Sequence, residues 1–275
     1  MSPEPMRVDV AKAFADKNPR LYRWMPGWIL RKIANLVHQE EMNEFLALHG
    51  HLRGAEFARA ALRHLHIQTN AVGLEHIPSN GAFVLIANHP LGGPDGLALY
   101  DVLGKCRNNF ASMSNDLITQ IQPLEELFVP VNKHGAQSRE NVQILKDRFR
   151  DGYGILIFPA GLVSRRSAGI IRDRPWKKTA VTLARREKVP LVPVHISGQL
   201  SERFYRVASW RKILGIPWNL EMMLLVDELF RLRKTTITLT IGEAIPSSHL
   251  DASRTDLEWT QWLYHKVYQL PTKTA

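Results

Sequence analysis

From about residue 66 onward, short apolar runs alternate with helix-patterned segments, and few folds accommodate that alternation. The runs expected as strands are 68–72, 83–87, 110–113, 127–131, 154–158, 191–196, 222–226 and 236–241. Helical spacing predicts helices near 96–103, 138–150, 176–187, 201–214 and 254–269. Strands alternating with helices argue for an α/β domain on a largely parallel central sheet, with helices on its flanks. The β-rich 235–240 stretch is expected at a sheet edge.

The segment before residue 66 has a different period. Residues 6–66 read as helical, with helices near 40–48 and 53–65. The chain is therefore divided into an N-terminal helical region, 1–66, and an α/β domain, 67–275. Within the first region, residues 21–33 combine two tryptophans, a tyrosine, aliphatics and three cations. That mixture suits the boundary between water and lipid, where amphipathic rings and basic groups are both favoured. An ordinary amphipathic helix packed on the body of the protein is the other reading. No apolar run approaches the roughly 20 residues needed to cross a bilayer, and no secretory signal is seen. The chain is expected in the cytoplasm, peripherally held on the inner face of the membrane.

Lys and Arg number 36 against 26 Asp and Glu, a formal net charge of +10. Anionic partners are therefore favoured: an anionic membrane surface or an acidic carrier protein. Nucleic acid is not expected, because the basic residues are scattered and no recognition motif occurs. The single cysteine, Cys106, excludes an internal disulfide and reads as a small packing residue. His49, His51, His64 and His66 come in i, i+2 pairs that do not share a helix face, so no metal site is expected.

The most chemical stretch is Asn88-His89-Pro90-Leu91-Gly92-Gly93-Pro94-Asp95, directly after the 83–87 run. A histidine acting as a base needs a carboxylate on its far nitrogen to hold the tautomer and stabilise the imidazolium. His89 and Asp95 would stand about 240° apart on a regular helix. They can meet only if the backbone turns between them. Gly92 and Gly93 permit such a turn, and Pro94 suits the first turn of a following helix.

Other loops carry cations at strand ends. Lys133 and Arg139 flank a helix start, a place that suits an anionic group. Arg165 and Arg166 follow the glycine turn at Gly161. Loops at one edge of a parallel sheet tend to converge on a shared crevice. His195 ends another strand and is read as a hydrogen-bonded core histidine in preference to a second catalytic group. No nucleophile elbow, Walker loop or dinucleotide fingerprint is present.

Taken together, the loops resemble the glycerolipid acyltransferase superfamily, which includes the 1-acylglycerol-3-phosphate acyltransferases. Asn88 to Asp95 resembles its His-Asp motif, and Phe158-Pro159-Ala160-Gly161 its Phe-Pro-Glu-Gly motif. Val192-Pro193-Val194 resembles its last block, and the loop from Asn132 to Arg139 sits where its second block lies. The closest likeness is to the bacterial hemolysin-like or glycerol acyltransferase branch, which includes O-acyltransferases of amino-acid-containing lipids. Five residues separate His89 from Asp95, where the usual motif has four; the hemolysin-like branch shares the longer spacing. Ala160 stands where the superfamily has glutamate, so a glycerol phosphate acceptor does not carry over.

The resemblance implies direct transfer of a fatty acyl group from a thioester to a lipid hydroxyl, with no cofactor and no metal. His89 is the expected general base and Asp95 its orienting partner. Asn88, Gly92, Gly93, Lys133, Arg139, Phe158, Pro159, Gly161 and Arg165 are the expected donor- and acceptor-binding residues. The expected partners are acyl carrier protein or acyl-coenzyme A as donor and a lysophospholipid-like or lyso-aminolipid acceptor. A catalytically silent lipid- or carrier-binding module is the alternative, motivated by Ala160.

Overall fold

The computed structural model of the chain describes residues 6–17, 19–114, 121–130, 139–215 and 220–270. Five helices come first: α1 (Val10–Lys17), α2 (Pro19–Trp24), α3 (Gly27–Leu36), α4 (Gln39–His49) and α5 (Gly54–His64). The α/β body follows. Its strands are β1 (Gln68–Val72), β2 (Phe83–Ala87), β3 (Phe110–Ser114), β4 (Phe128–Pro130), β5 (Gly154–Ile157), β6 (Arg165–Ser167), β7 (Ile170–Arg172), β8 (Leu191–Ile196) and β9 (Thr236–Ile241). Its helices are α6 (Gly93–Cys106), α7 (Arg139–Arg150), α8 (Thr179–Glu187), α9 (Glu202–Ile213), α10 (Leu225–Arg231) and α11 (Asp256–Gln269).

Seven strands form one sheet in the order β1-β9-β8-β2-β5-β3-β4. Strands β8, β2, β5, β3 and β4 pair in parallel, and β9 meets β8 antiparallel while pairing in parallel with β1. The sheet is thus largely parallel. Its central strands are apolar on both faces, as doubly covered strands must be. Phe83, Leu85 and Ala87 of β2 feed one core, and Val84 and Ile86 feed the other. Helices α4, α5 and α6 cover the first face, and α7, α8 and α11 cover the second. Gly104 of α6 lets α5 approach closely, since a Cβ there would lie 2.4 Å from the Ala55 Cβ.

Three expectations are corrected, and one element is new. Residues 222–226 are not a strand: a 3-10 turn, Leu220–Leu224, leads into α10. A short apolar run does not reveal its own period, and here Leu225, Leu229 and Phe230 recur at helical spacing against the first core. Strand β9 is interior, because β1 takes the edge beside it. Cys106 is exposed at the end of α6. The hairpin of β6 and β7 was not anticipated, its strands being only three residues each.

The N-terminal ends of the central strands are pinned by Arg107, 7% exposed, which donates to the carbonyls of Pro78, Gly81 and Gly152. The opposite, C-terminal ends carry the loops that matter for chemistry.

Candidate active site

Strand β2 runs out through Ala87 into Asn88. The Asn88 side chain continues the sheet where the strand stops: its amide donates to the Ile196 carbonyl at 2.9 Å and accepts from the Ile196 N–H at 2.7 Å. Both ends of the amide are engaged, so Asn88 positions the loop. The chain then turns at Gly92, where φ is 80° and an added Cβ would meet the Val163 side chain at 3.2 Å. A left-handed φ and that crowding both call for glycine.

The turn starts α6 and brings Asp95 back toward the loop. The Asp95 Oδ2 accepts from His89 Nδ1 at 2.8 Å, from the Leu91 N–H at 2.9 Å and from the Gly92 N–H at 3.0 Å. Its other oxygen is buried with no hydrogen-bond partner among the described residues. Burial therefore pushes the Asp95 carboxyl above its ordinary range, and the bonds from His89, Leu91 and Gly92 pull it only part of the way back. With Nδ1 donating to the carboxylate, Nε2 of His89 is the nitrogen free to take a proton. The Phe158 ring stacks on the imidazole with centroids 4.2 Å apart and planes 26° apart.

The main chain of His89 is fixed as well. Its carbonyl accepts from the Ser164 N–H at 2.8 Å. Its N–H points at the Asp173 carboxylate, 3.2 Å from each oxygen. Asp173 has no counterpart among the sequence expectations. An aspartate between Arg172 and Arg174 reads as a solvated charge, and the unseen hairpin hid its position.

The other expected residues fall into place unevenly. Phe158 lines the same cavity as His89, Gly92 and Gly93. Pro159 is buried and its carbonyl accepts from the Lys177 N–H at 3.0 Å, so it shapes the turn. The Gly161 N–H closes that turn on the Phe158 carbonyl at 3.0 Å, and the Gly92 N–H is held by Asp95. Neither is left for a substrate oxygen. Gly93 is exposed at the first position of α6, where N–H groups have no partner within the helix. Arg165 is corrected: it is 7% exposed and its guanidinium meets the fully buried Glu221 at 3.1 Å, so its charge is balanced inside the protein. Arg166 pairs with Glu202. Arg139 is exposed at the start of α7, and Lys133 lies outside the described residues. The ring of His195 contacts Tyr268, away from the His89 cavity.

That cavity, about 280 Å³, reaches from His89 to the N-terminal helices. Phe45 and Leu46 of α4, Phe57 and Ala61 of α5, and Phe230 of α10 line it. The wall is almost wholly apolar. An oriented imidazole thus opens on a space that suits a hydrocarbon chain.

Residues 12–274 match the family model described as Acyltransferase. The chain belongs to that acyltransferase family. Two lyso-glycine lipid O-acyltransferases resemble it over most of their lengths. The one from Phocaeicola vulgatus is 38% identical over 264 residues, covering 96% of this chain and 95% of the relative. The one from Bacteroides thetaiotaomicron is 37% identical over 264 residues, covering 96% and 97%. The fold matches that of the 1-acyl-sn-glycerophosphate (LPA) acyltransferase PlsC from Thermotoga maritima with a TM-score of 0.51. That match covers 95% of this chain and 93% of the other at 18% identity, so it speaks for the fold alone. The protein is an acyltransferase of the glycerolipid superfamily, and the silent-module alternative falls.

Proposed function

We propose that this acyltransferase moves a fatty acyl group from a thioester donor, acyl carrier protein or acyl-coenzyme A, to the hydroxyl of a lyso-aminolipid acceptor. The observation that carries the reading is His89, held by a buried carboxylate and facing an apolar cavity deep enough to reach α4 and α5. The relatives named lyso-glycine lipid O-acyltransferase support an acceptor of that class. Ala160, where the superfamily carries glutamate, also weighs against a glycerol phosphate acceptor.

His89 Nε2 takes the acceptor proton as the hydroxyl oxygen attacks the thioester carbon. Asp95 stabilises the imidazolium that forms, and a base so placed typically contributes 10²- to 10⁴-fold. Charge develops on the carbonyl oxygen, and the Gly93 N–H at the positive end of α6 is the backbone donor placed to meet it. The tetrahedral intermediate then expels the thiolate, which takes the proton back from His89. The acyl chain lies in the cavity throughout.

The exposed Trp24 and Trp28, with Lys32 over the Trp28 ring at 5.0 Å, support docking on an anionic membrane surface. No helix among the described residues is long and apolar enough to cross a membrane.

His89→Ala is expected to reduce acyl transfer from purified acyl thioesters to a lyso-glycine lipid by at least about 10²-fold. Retention of activity within a few-fold would remove His89 from the role. Equal turnover of lysophosphatidic acid by the wild type would overturn the acceptor assignment.

A further inference from the structure

The Asp173 carboxylate is the one described acidic group, besides Asp95, that bonds directly to His89. It lies in the loop after β7 and is 7% exposed. Among the described residues no cation forms an ion pair with it, and its hydrogen-bond donors there are neutral. The Ser164 hydroxyl donates at 2.5 Å and the Trp176 indole N–H at 2.9 Å. Its own N–H is held by the Tyr268 hydroxyl at 2.9 Å, and its carbonyl accepts from the Tyr264 hydroxyl at 3.4 Å. Ser164 also holds the His89 carbonyl through its N–H. His89 is thus clamped at both main-chain polar atoms by one short segment, 164–173.

A buried carboxylate with no counter-ion is costly to keep, and proteins rarely retain one without use. Neutral donors keep it in place without cancelling its charge. Among the described residues bonded to it, His89 is the one whose side chain would gain a positive charge in the proposed reaction. We infer that Asp173 is a second positioning carboxylate, fixing the His89 main chain and stabilising the imidazolium through space. The inference rests on the reading of His89 as the base.

The charged and titratable surroundings are few. Asp95 faces the imidazole from α6. Tyr264 and Tyr268 face Asp173 from α11, with Arg172 over the Tyr268 ring at 5.0 Å and the His195 ring edge-to-face with it, centroids 5.8 Å apart. Arg165 and Arg174 stand on the hairpin side, the former neutralised by Glu221. Burial raises the Asp173 carboxyl above its ordinary range while its donors and His89 oppose the rise.

The test is an NMR titration of the histidine ring carbons in full-length protein, with the His89 signal assigned from His89→Gln. In Asp173→Asn the His89 midpoint is expected at lower pH than in the wild type, by about half a unit or more, because a negative charge that favoured the imidazolium has gone. An unmoved or raised midpoint overturns the proposal, since a merely structural residue would not set it. The titration needs no turnover, so an inactive wild type would sink the acyl-transfer reading and leave this result standing. If Asp173→Asn does not fold, Ser164→Ala and Trp176→Phe take its place. Each removes one donor from the carboxylate and is expected to lower kcat by about ten-fold with KM within two-fold, as expected when a reacting group is misplaced. Unchanged kcat in both overturns the proposal.

Discussion

Asp95 shows what the proposed catalytic pair costs in stability. Three donors converge on one of its oxygens, while the other is buried without a partner. Its folded pKa lies above the ordinary value of 3.8 because burial dominates. Between those two values the folded state holds more protons than the unfolded state. Stability therefore falls as pH rises through that window, and the deficit is fully present above it. Asn is uncharged in both states and removes the deficit. Asp95→Asn is expected to cost about 10²- to 10⁴-fold in turnover through the wrong tautomer. It should nonetheless melt at or above the wild-type temperature at pH 7. A melt several degrees lower would show that the hydrogen bonds of Asp95 outweigh its desolvation.

At the scale of elements, the cavity is a product of close helix packing. Gly104 lets α5 settle on α6, and one face of α5 then divides its residues between core and cavity. Ala58 and Leu62 are buried against the sheet side, while Ala61 faces the cavity. A larger side chain at 61 fills space that the acyl chain is proposed to use. Ala61→Phe is expected to leave the rate with short-chain donors within about two-fold and to lower kcat/KM for long-chain donors by ten-fold or more. A missing methylene's worth of room costs about 1–3 kcal/mol in a hydrophobic pocket, so loss of several is decisive. A competition assay with mixed thioester donors, read by mass spectrometry, reports the ratio. An unchanged chain-length profile would place the acyl group elsewhere.

At the scale of the whole molecule, the polar residues around His89 and the exposed tryptophans Trp24 and Trp28 lie on different parts of the chain. His89 follows the C-terminal end of β2 and meets Asp95 of α6, while Asp173 comes to it from the loop after the β6–β7 hairpin. Trp24 is 86% exposed and Trp28 54%, on α2 and α3, whereas the cavity is enclosed by α4 and α5 of the same N-terminal region. With a formal net charge of +10, a lipid surface rich in anionic headgroups is the docking partner proposed for these helices. Trp24→Ala with Trp28→Ala is expected to weaken co-sedimentation with anionic vesicles by about ten-fold or more and to leave the fold intact by circular dichroism. Undiminished vesicle binding would move the docking face away from these helices.

The α/β class, the strand positions around β2, β5 and β8 and the His89–Asp95 pairing were legible in the residues. Periodicity records which faces are buried, and two adjacent glycines before a proline record where a chain can turn. The α10 segment was not legible, because five apolar residues in a row suit a strand and a buried helix equally well. Asp173 was not legible either. Its neighbours Arg172 and Arg174 suggest a solvated charge, and its contact with His89 spans 84 residues. Arg165 failed for the same reason: whether a cation meets a ligand or the buried Glu221, 56 residues away, depends on how distant segments pack. Local pattern therefore sets which elements form and where the His89–Asp95 pair lies. The company that pair keeps is settled by long-range packing, because desolvation and pairing belong to the assembled interior and not to any one stretch of chain.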